Sequence, residues 1–477
     1  MTGTPKFLPA LFALAIVVTR LPFLYTGYGS DGDAWRVAQV SSTLWTSGVY
    51  EMSRPPGYPA HEIVSAPLVG LGGSMLSNAA TLAVSLMTVM VWNRLVQGRT
   101  KRPATLTFAF AFAPLFWVNS ATTMDYVWSI LMILLAMHAG LKVKPLSAGI
   151  WAGLAIGFRP ANGVLLIPLV SLLLVEISMH GTPSPPALSS RNSRWIAVMK
   201  FLAASCATAL IVFLPVFHTY GISGWLSQLS RQFDADRMNL TERLLTCAYR
   251  AVYAIGPLAV IGAAWIFARP AAWRSAWATR DSLFRPSLIA MSVLIVPFVL
   301  FPFEKSYLLS ALPFLLLLLD RLATPRAIAL FTLCLISFAF INPDVITHRG
   351  AKGTPGFNVH TGFVLEELQT RQELHAWRSS LASITVPDRT VIMTGVGPVF
   401  WFENDAVEPV RSPFVRDVHD VVVQRKGNTS VLFVPMIPRG EAERLEKLGW
   451  RVLCDEKNRE YIERATGHHT GVAAPPS

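Results

Sequence analysis

Apolar residues run in long blocks through the first two-thirds of the chain, broken at short intervals by charged, proline-rich or glycine-rich turns. Crossing hydrocarbon takes about 20 apolar residues, fewer where a helix is buried among others. On that measure the pattern predicts spans over 7–25, 78–97, 104–120, 125–141, 146–158, 161–178, 195–217, 247–268, 286–303, 307–319 and 327–341. No small-residue cleavage site follows the first apolar run, so it reads as a retained helix. The stretch 60–76 is apolar but rich in Gly and Pro, and is placed at the interface or as a partial insertion.

The pattern changes after residue 341. No membrane-length apolar run follows, and three short β-type runs appear at 390–394, 430–434 and 451–454. An amphipathic helix at 439–448, stopped by Gly449, separates the last two. Strand, helix, strand suggests a small α/β unit. The expected fold class is therefore an all-α polytopic membrane protein of about eleven transmembrane helices with a small C-terminal α/β domain. Residues 1–341 form the membrane body, 342–465 the α/β domain, and 466–477 a tail read as disordered.

Composition agrees with this division. Hydrophobic residues make up 52% of 477 positions and charged residues only 15%, against about 25% charged in a soluble chain. Of the four cysteines, Cys206, Cys247 and Cys334 lie in apolar runs and only Cys454 is in a polar segment, so no disulfide framework is implied.

Charge fixes an orientation. With a cytoplasmic N-terminus, the inner segments hold 16 basic residues against the three acids Glu176, Asp281 and Asp320. The outer segments before residue 342 hold nine of each. That bias is the positive-inside pattern. It places the protein as a multi-pass protein of the plasma (inner) membrane, with the C-terminal domain periplasmic or extracellular. The net charge of +12 is dispersed over several loops; it reports topology and does not point to nucleic acid.

The acids of the body gather in outer loops. The first loop, 26–61, contains Asp31 and Asp33, followed by Arg54-Pro-Pro-Gly-Tyr58-Pro. Two carboxylates near a helix end can supply a general base; equally, either can be an N-cap in a solvated loop. Arg54 before two prolines is either a rigidly presented anion ligand or an interfacial arginine. Asp125, in a short outer turn, either joins the first-loop acids or complements a helix dipole. Arg159 of Gly157-Phe-Arg159-Pro can pair with a carboxylate or bind phosphate. The loop 217–247, with Arg231, Asp234, Asp236, Arg237 and Arg243, reads as an amphipathic interfacial segment. In the late turn, Lys305 points away from its neighbour Glu304 and is available to an anion. No His/Cys cluster has metal-ligand spacing and no glycine-rich phosphate loop is present, so no cofactor is expected and the metal requirement stays open.

The order of these residues resembles the GT-C class of membrane glycosyltransferases, which includes protein O-mannosyltransferases and aminoarabinose transferases. Arg20, Asp31, Asp33, Arg54 to Pro59, Asp125, Gly157-Phe-Arg159, Lys305-Ser-Tyr307-Leu-Leu and Pro313 carry the resemblance over residues 7–341. It implies transfer of a sugar, with inversion, from a polyprenyl-phosphate carrier at the outer face to a hydroxyl or amine of a lipid, glycan or protein acceptor. A first-loop acid would act as base, Asp33 ahead of Asp31, with Asp125 the further candidate. Arg20, Arg54, Tyr58, Arg159, Lys305 and Tyr307 would bind substrate. Many relatives have adjacent acids, whereas Gly32 separates the two here. The rival reading is a transporter or flippase of lipid-linked or small solutes. Such a protein often shows inverted repeats and ionisable groups at mid-membrane. This sequence shows no such repeat and almost no mid-span charge, Glu176 being the nearest case and close to the inner end of its span. A non-catalytic scaffold would leave the outer acids unexplained.

Overall fold

The structure is a computed structural model that describes residues 8–179, 191–234, 239–278, 281–302, 305–344, 358–382, 390–393, 424–426, 429–434 and 451–454. The expected helix at 439–448, the tail from 466, Glu304, Asp236 and Arg237 lie outside the described residues.

Prolines set much of the helical phrasing. A proline has no N–H to lose at the first turn and a φ already suited to a helix, so it opens helices and interrupts them elsewhere. After α1 (Leu8–Leu24) and α2 (Gly32–Ser47), Pro59, Pro103 and Pro114 open α3 (Pro59–Val96), α4 (Pro103–Phe112) and α5 (Pro114–Asn119). Next come α6 (Tyr126–Leu141), α7 (Pro145–Phe158), a 3₁₀ turn at Pro160–Leu165, and α8 (Leu166–Met179). The second half of the body holds α9 (Arg191–Asp234), α10 (Leu240–Ile255), α11 (Pro257–Phe267), α12 (Pro270–Ala278) and α13 (Phe284–Leu300). A second 3₁₀ turn (Lys305–Ser310), α14 (Leu312–Leu322) and α15 (Pro325–Ser337) complete it.

The stretch 60–76, expected at the interface or as a partial insertion, is helical. It is the first half of the 38-residue α3, with the kink at Gly72–Gly73, where Gly73 has φ 57°. The span expected at 104–120 is cut by Pro114, and that at 247–268 is a pair of helices bent by 105° at Gly256. The interfacial loop 217–247 is helix for much of its length, because α9 continues past a break at Gly221 to Asp234. Among the described residues three helices are long and apolar enough to cross a membrane alone: Pro59–Val96, Pro160–Met179 and Asn192–Ser230. The bent pair makes a fourth if counted as one span.

Gly256 has φ 87°, and a Cβ there would lie 2.6 Å from the Phe338 ring. Gly256→Ala is expected to lower stability by at least about 1 kcal/mol from the left-handed backbone alone. Thermal unfolding in detergent measures it; an unchanged midpoint would show that the bend tolerates a side chain.

After α15, β1 (Ile341–Asp344) pairs antiparallel with β2 (Asn358–Thr361) and delivers the chain to α16 (Phe363–Ala382). The three β-type runs are strands: β3 (Thr390–Met393) is parallel to both β5 (Thr429–Val434) and β6 (Arg451–Cys454), and β4 (Gln424–Lys426) adds antiparallel to β5. The residues assigned by charge to the inner side find one another: Asp320 pairs with Arg102 and Arg321, and Arg321 with Asp281.

Candidate active site

Loop residues far apart in sequence converge on one chain of alternating charge. Asp31 is the N-cap of α2; its Oδ1 accepts the Asp33 N–H at 3.0 Å. Asp33, in the first helical turn, accepts from Arg36 at 3.0 Å and faces Arg54 Nε at 3.3 Å. Arg54 reaches on to Asp125 Oδ1 at 2.5 Å, and Arg159 takes the other oxygen, Oδ2, at 2.6 Å. The sequence Asp33–Arg54–Asp125–Arg159 thus draws on three separate turns. The exposures differ in a way that sorts the acids: the Asp33 side chain is 27% exposed and that of Asp125 is 0%. Asp125 is sealed between two guanidinium groups, whereas Asp33 can meet a ligand.

Aromatic rings hold the arginines flat. Arg54 lies over Tyr58, 3.8 Å from the ring centre. Arg159 lies 4.0 Å from Tyr126 and 4.4 Å from Tyr307. Such cation–π contacts strengthen as water is excluded. Tyr58 and Tyr307 therefore stand beside the arginines.

A residue absent from every sequence motif holds the loop. Glu62, buried in the first turn of α3, accepts from the Tyr50 hydroxyl at 2.5 Å and from the Ser53 N–H and O–H at 2.8 and 2.6 Å. With the Tyr58 N–H at 3.4 Å, four donors on one carboxylate fix the backbone on both sides of Arg54. Its sole signal in the sequence is its place three residues after Pro59, at a helix start.

Next to the charge chain lies a cavity of about 270 Å³. Ser30, Asp31, Asn119, Tyr126, Arg250, Lys305, Glu367 and Arg371 are in its wall. Tyr126 joins the two, since it also underlies Arg159. Lys305 rests against the rings of Tyr253 and Phe363, at 4.9 and 4.3 Å. Arg250 belongs to an apolar run of the sequence, yet it faces this cavity, and its Nε has no hydrogen-bond partner among the described residues. A second cavity, about 300 Å³ and almost wholly apolar, is lined by Ala113, Ala251, Ala254, Ala263, Leu308 and Leu312 among others. Three elements, α5, α10 and the Lys305–Ser310 turn, supply walls to both cavities.

Arg20 is placed elsewhere. It is fully buried, bonded to the Ala111 carbonyl and stacked on Trp117 at 4.5 Å and Phe112 at 5.0 Å. It sits at the break between α4 and α5, where Pro114 interrupts the backbone ladder. Among the described residues no group of three or more His, Cys, Asp or Glu side chains could hold a metal ion.

The chain matches no protein-family model and no curated protein sequence. Its fold has a solved counterpart. The crystal structure of ArnT from Cupriavidus metallidurans bound to undecaprenyl phosphate is similar over 84% of this chain and 85% of that one, with a TM-score of 0.53 and 14% identity. The fold is GT-C-like. At that identity the likeness is one of architecture, and the chemistry has to be argued from the side chains.

Proposed function

We propose that the chain is a membrane glycosyltransferase that moves a sugar, with inversion, from a polyprenyl-phosphate carrier to an extracytoplasmic acceptor. One observation carries the reading: a cation-lined cavity and an apolar cavity share the walls α5, α10 and Lys305–Ser310. An anionic headgroup on a long apolar chain needs that combination. The solved counterpart of the fold, itself bound to undecaprenyl phosphate, points the same way.

In this scheme Arg250 and Lys305 bind the carrier phosphate, and the alanine-lined cavity takes the first isoprene units. Asp33 removes the proton from the acceptor O–H or N–H. The acceptor lone pair forms the new bond to the anomeric carbon, and the bond from that carbon to phosphate oxygen breaks with its electrons. The departing phosphate gains charge, which the cations offset. Arg54, Asp125 and Arg159 hold Asp33 in place with Tyr58, Tyr126 and Tyr307 around them. The acceptor is a lipid, a glycan or a protein at the outer face of the plasma membrane, and surrounding lipids complete the site.

The test is transfer by the purified full-length protein with a panel of polyprenyl-phosphate sugars. Lys305→Ala and Arg250→Ala are each expected to raise the donor KM about ten- to a hundredfold, since a charged hydrogen bond contributes roughly 1.5–3 kcal/mol. If no donor yields a glycosidic product while reconstituted protein carries solute across vesicles, the transporter reading replaces this one.

A further inference from the structure

The C-terminal segment enters the site through α16. Arg371, fully buried, donates to the carbonyl of Ala121 at 2.8 Å and to the Thr122 hydroxyl, both in the turn before Asp125. Phe363 packs on Phe338 and Tyr253, with ring centres 5.9 and 5.5 Å apart, and Glu366 accepts from the Tyr253 hydroxyl at 2.9 Å. Three elements of the body therefore grip the helix, and between those grips lies Glu367. Its Oε1 accepts from Ser30 at 2.5 Å and from Arg371 Nε at 2.9 Å. Among the described residues both hydrogen bonds to the carboxylate fall on Oε1. Glu367 is in the wall of the polar cavity together with Asp31, Lys305 and Arg250. Burial opposes its charge, but Arg371, Lys305 and the Ser30 hydroxyl outweigh burial and hold its carboxyl below the usual carboxylate range. It is an acceptor-only group at neutral pH.

We infer that Glu367 recognises the sugar of the donor: Oε2 accepts hydrogen bonds from ring hydroxyl or amino substituents while Oε1 stays tied to Ser30 and Arg371. The inference rests on the glycosyltransferase reading and adds a substrate class to it. At about 270 Å³ the cavity is at or below the low end of ligand pockets. With a phosphate against Arg250 and Lys305, the remaining room suits one monosaccharide ring. A rigidly held carboxylate facing cations is suited to a ring with free polar hydrogens and penalises substituents that lack them. The C-terminal segment then takes part in donor recognition, beyond any contact with the acceptor.

Two probes separate this from the wider reading: bare polyprenyl phosphate and polyprenyl-phosphate monosaccharides, each titrated against full-length protein in nanodiscs. Glu367→Gln is expected to bind the bare lipid within twofold of wild type and to bind the sugar-bearing lipid about tenfold more weakly, the loss of one charged hydrogen bond. Ser30→Ala, which removes one of the two donors to Oε1 but leaves the carboxylate and its bond from Arg371, is expected to lose less. Thermal unfolding reports whether α16 stays docked in both variants. Equal weakening for both probes, or none for the sugar-bearing lipid, overturns the assignment of Glu367. A wild-type protein that binds neither probe sinks the carrier-dependent reading and this inference with it.

Discussion

Asp33→Asn is expected to lower turnover about 10²- to 10⁴-fold, the usual cost of losing a general base, while binding of the donor survives. The substitution keeps the shape of the side chain and removes its negative charge, and an amide oxygen is far too weak a base to take the proton. Asp31→Asn is the informative control. Asn caps a helix about as well as Asp, so α2 should keep its start and the variant its activity to within a few-fold. The pair is read by initial rates over a range of donor concentrations, with binding measured separately. Asp33→Asn at wild-type rate would remove Asp33 as the base. A loss confined to Asp31→Asn would transfer the role to the carboxylate that lines the cavity.

Asp125→Asn should act on folding before it acts on chemistry. Its carboxylate is fully buried and bridges Arg54 and Arg159 at 2.5 and 2.6 Å. An amide can accept from one guanidinium but turns an N–H toward the other, leaving buried positive charge without its partner. Removing one member of a buried ion pair typically costs about 3–5 kcal/mol. The expected result is a marked drop in the unfolding midpoint in detergent and a low yield of folded protein. Combining it with Arg159→Met should cost less than the two single changes summed, because the second removes the stranded cation. A stable Asp125→Asn protein would mean that the charge chain contributes little to the body.

The members of the charge chain are legible in the amino-acid sequence because each is an ionisable residue between the long apolar runs of the body. Asp33, Arg54, Asp125 and Arg159 stand out for that reason, and geometry brings them together. The roles of Asp31 and Arg20 are less legible, since each has an alternative that sequence cannot weigh: a local helix cap for one, a distant broken helix needing a donor for the other. Arg250 is hidden inside an apolar run. The 105° bend after Ile255 turns α10 away from the direction of α11, so a run that reads as one straight span folds into two walls of a site. Glu62, Glu367 and Arg371 are unreadable for a third reason. Their partners are Ser53, Ser30 and Ala121, and nothing local marks a glutamate on α16 as a neighbour of a serine 337 positions earlier.

Arg20 has a consequence for how the protein is made. Its carbonyl partner, Ala111, is 91 residues further along the chain. At about 5–20 residues per second, the ribosome delivers α4 and α5 roughly 5–20 s after α1. Throughout that interval α1 carries a guanidinium with no carbonyl or ring of its own to meet. A long arginine stem lets the head reach the headgroup layer, which offers the guanidinium polar surroundings until the Ala111 carbonyl is made. The order of synthesis and the order of burial are thereby coupled through one side chain.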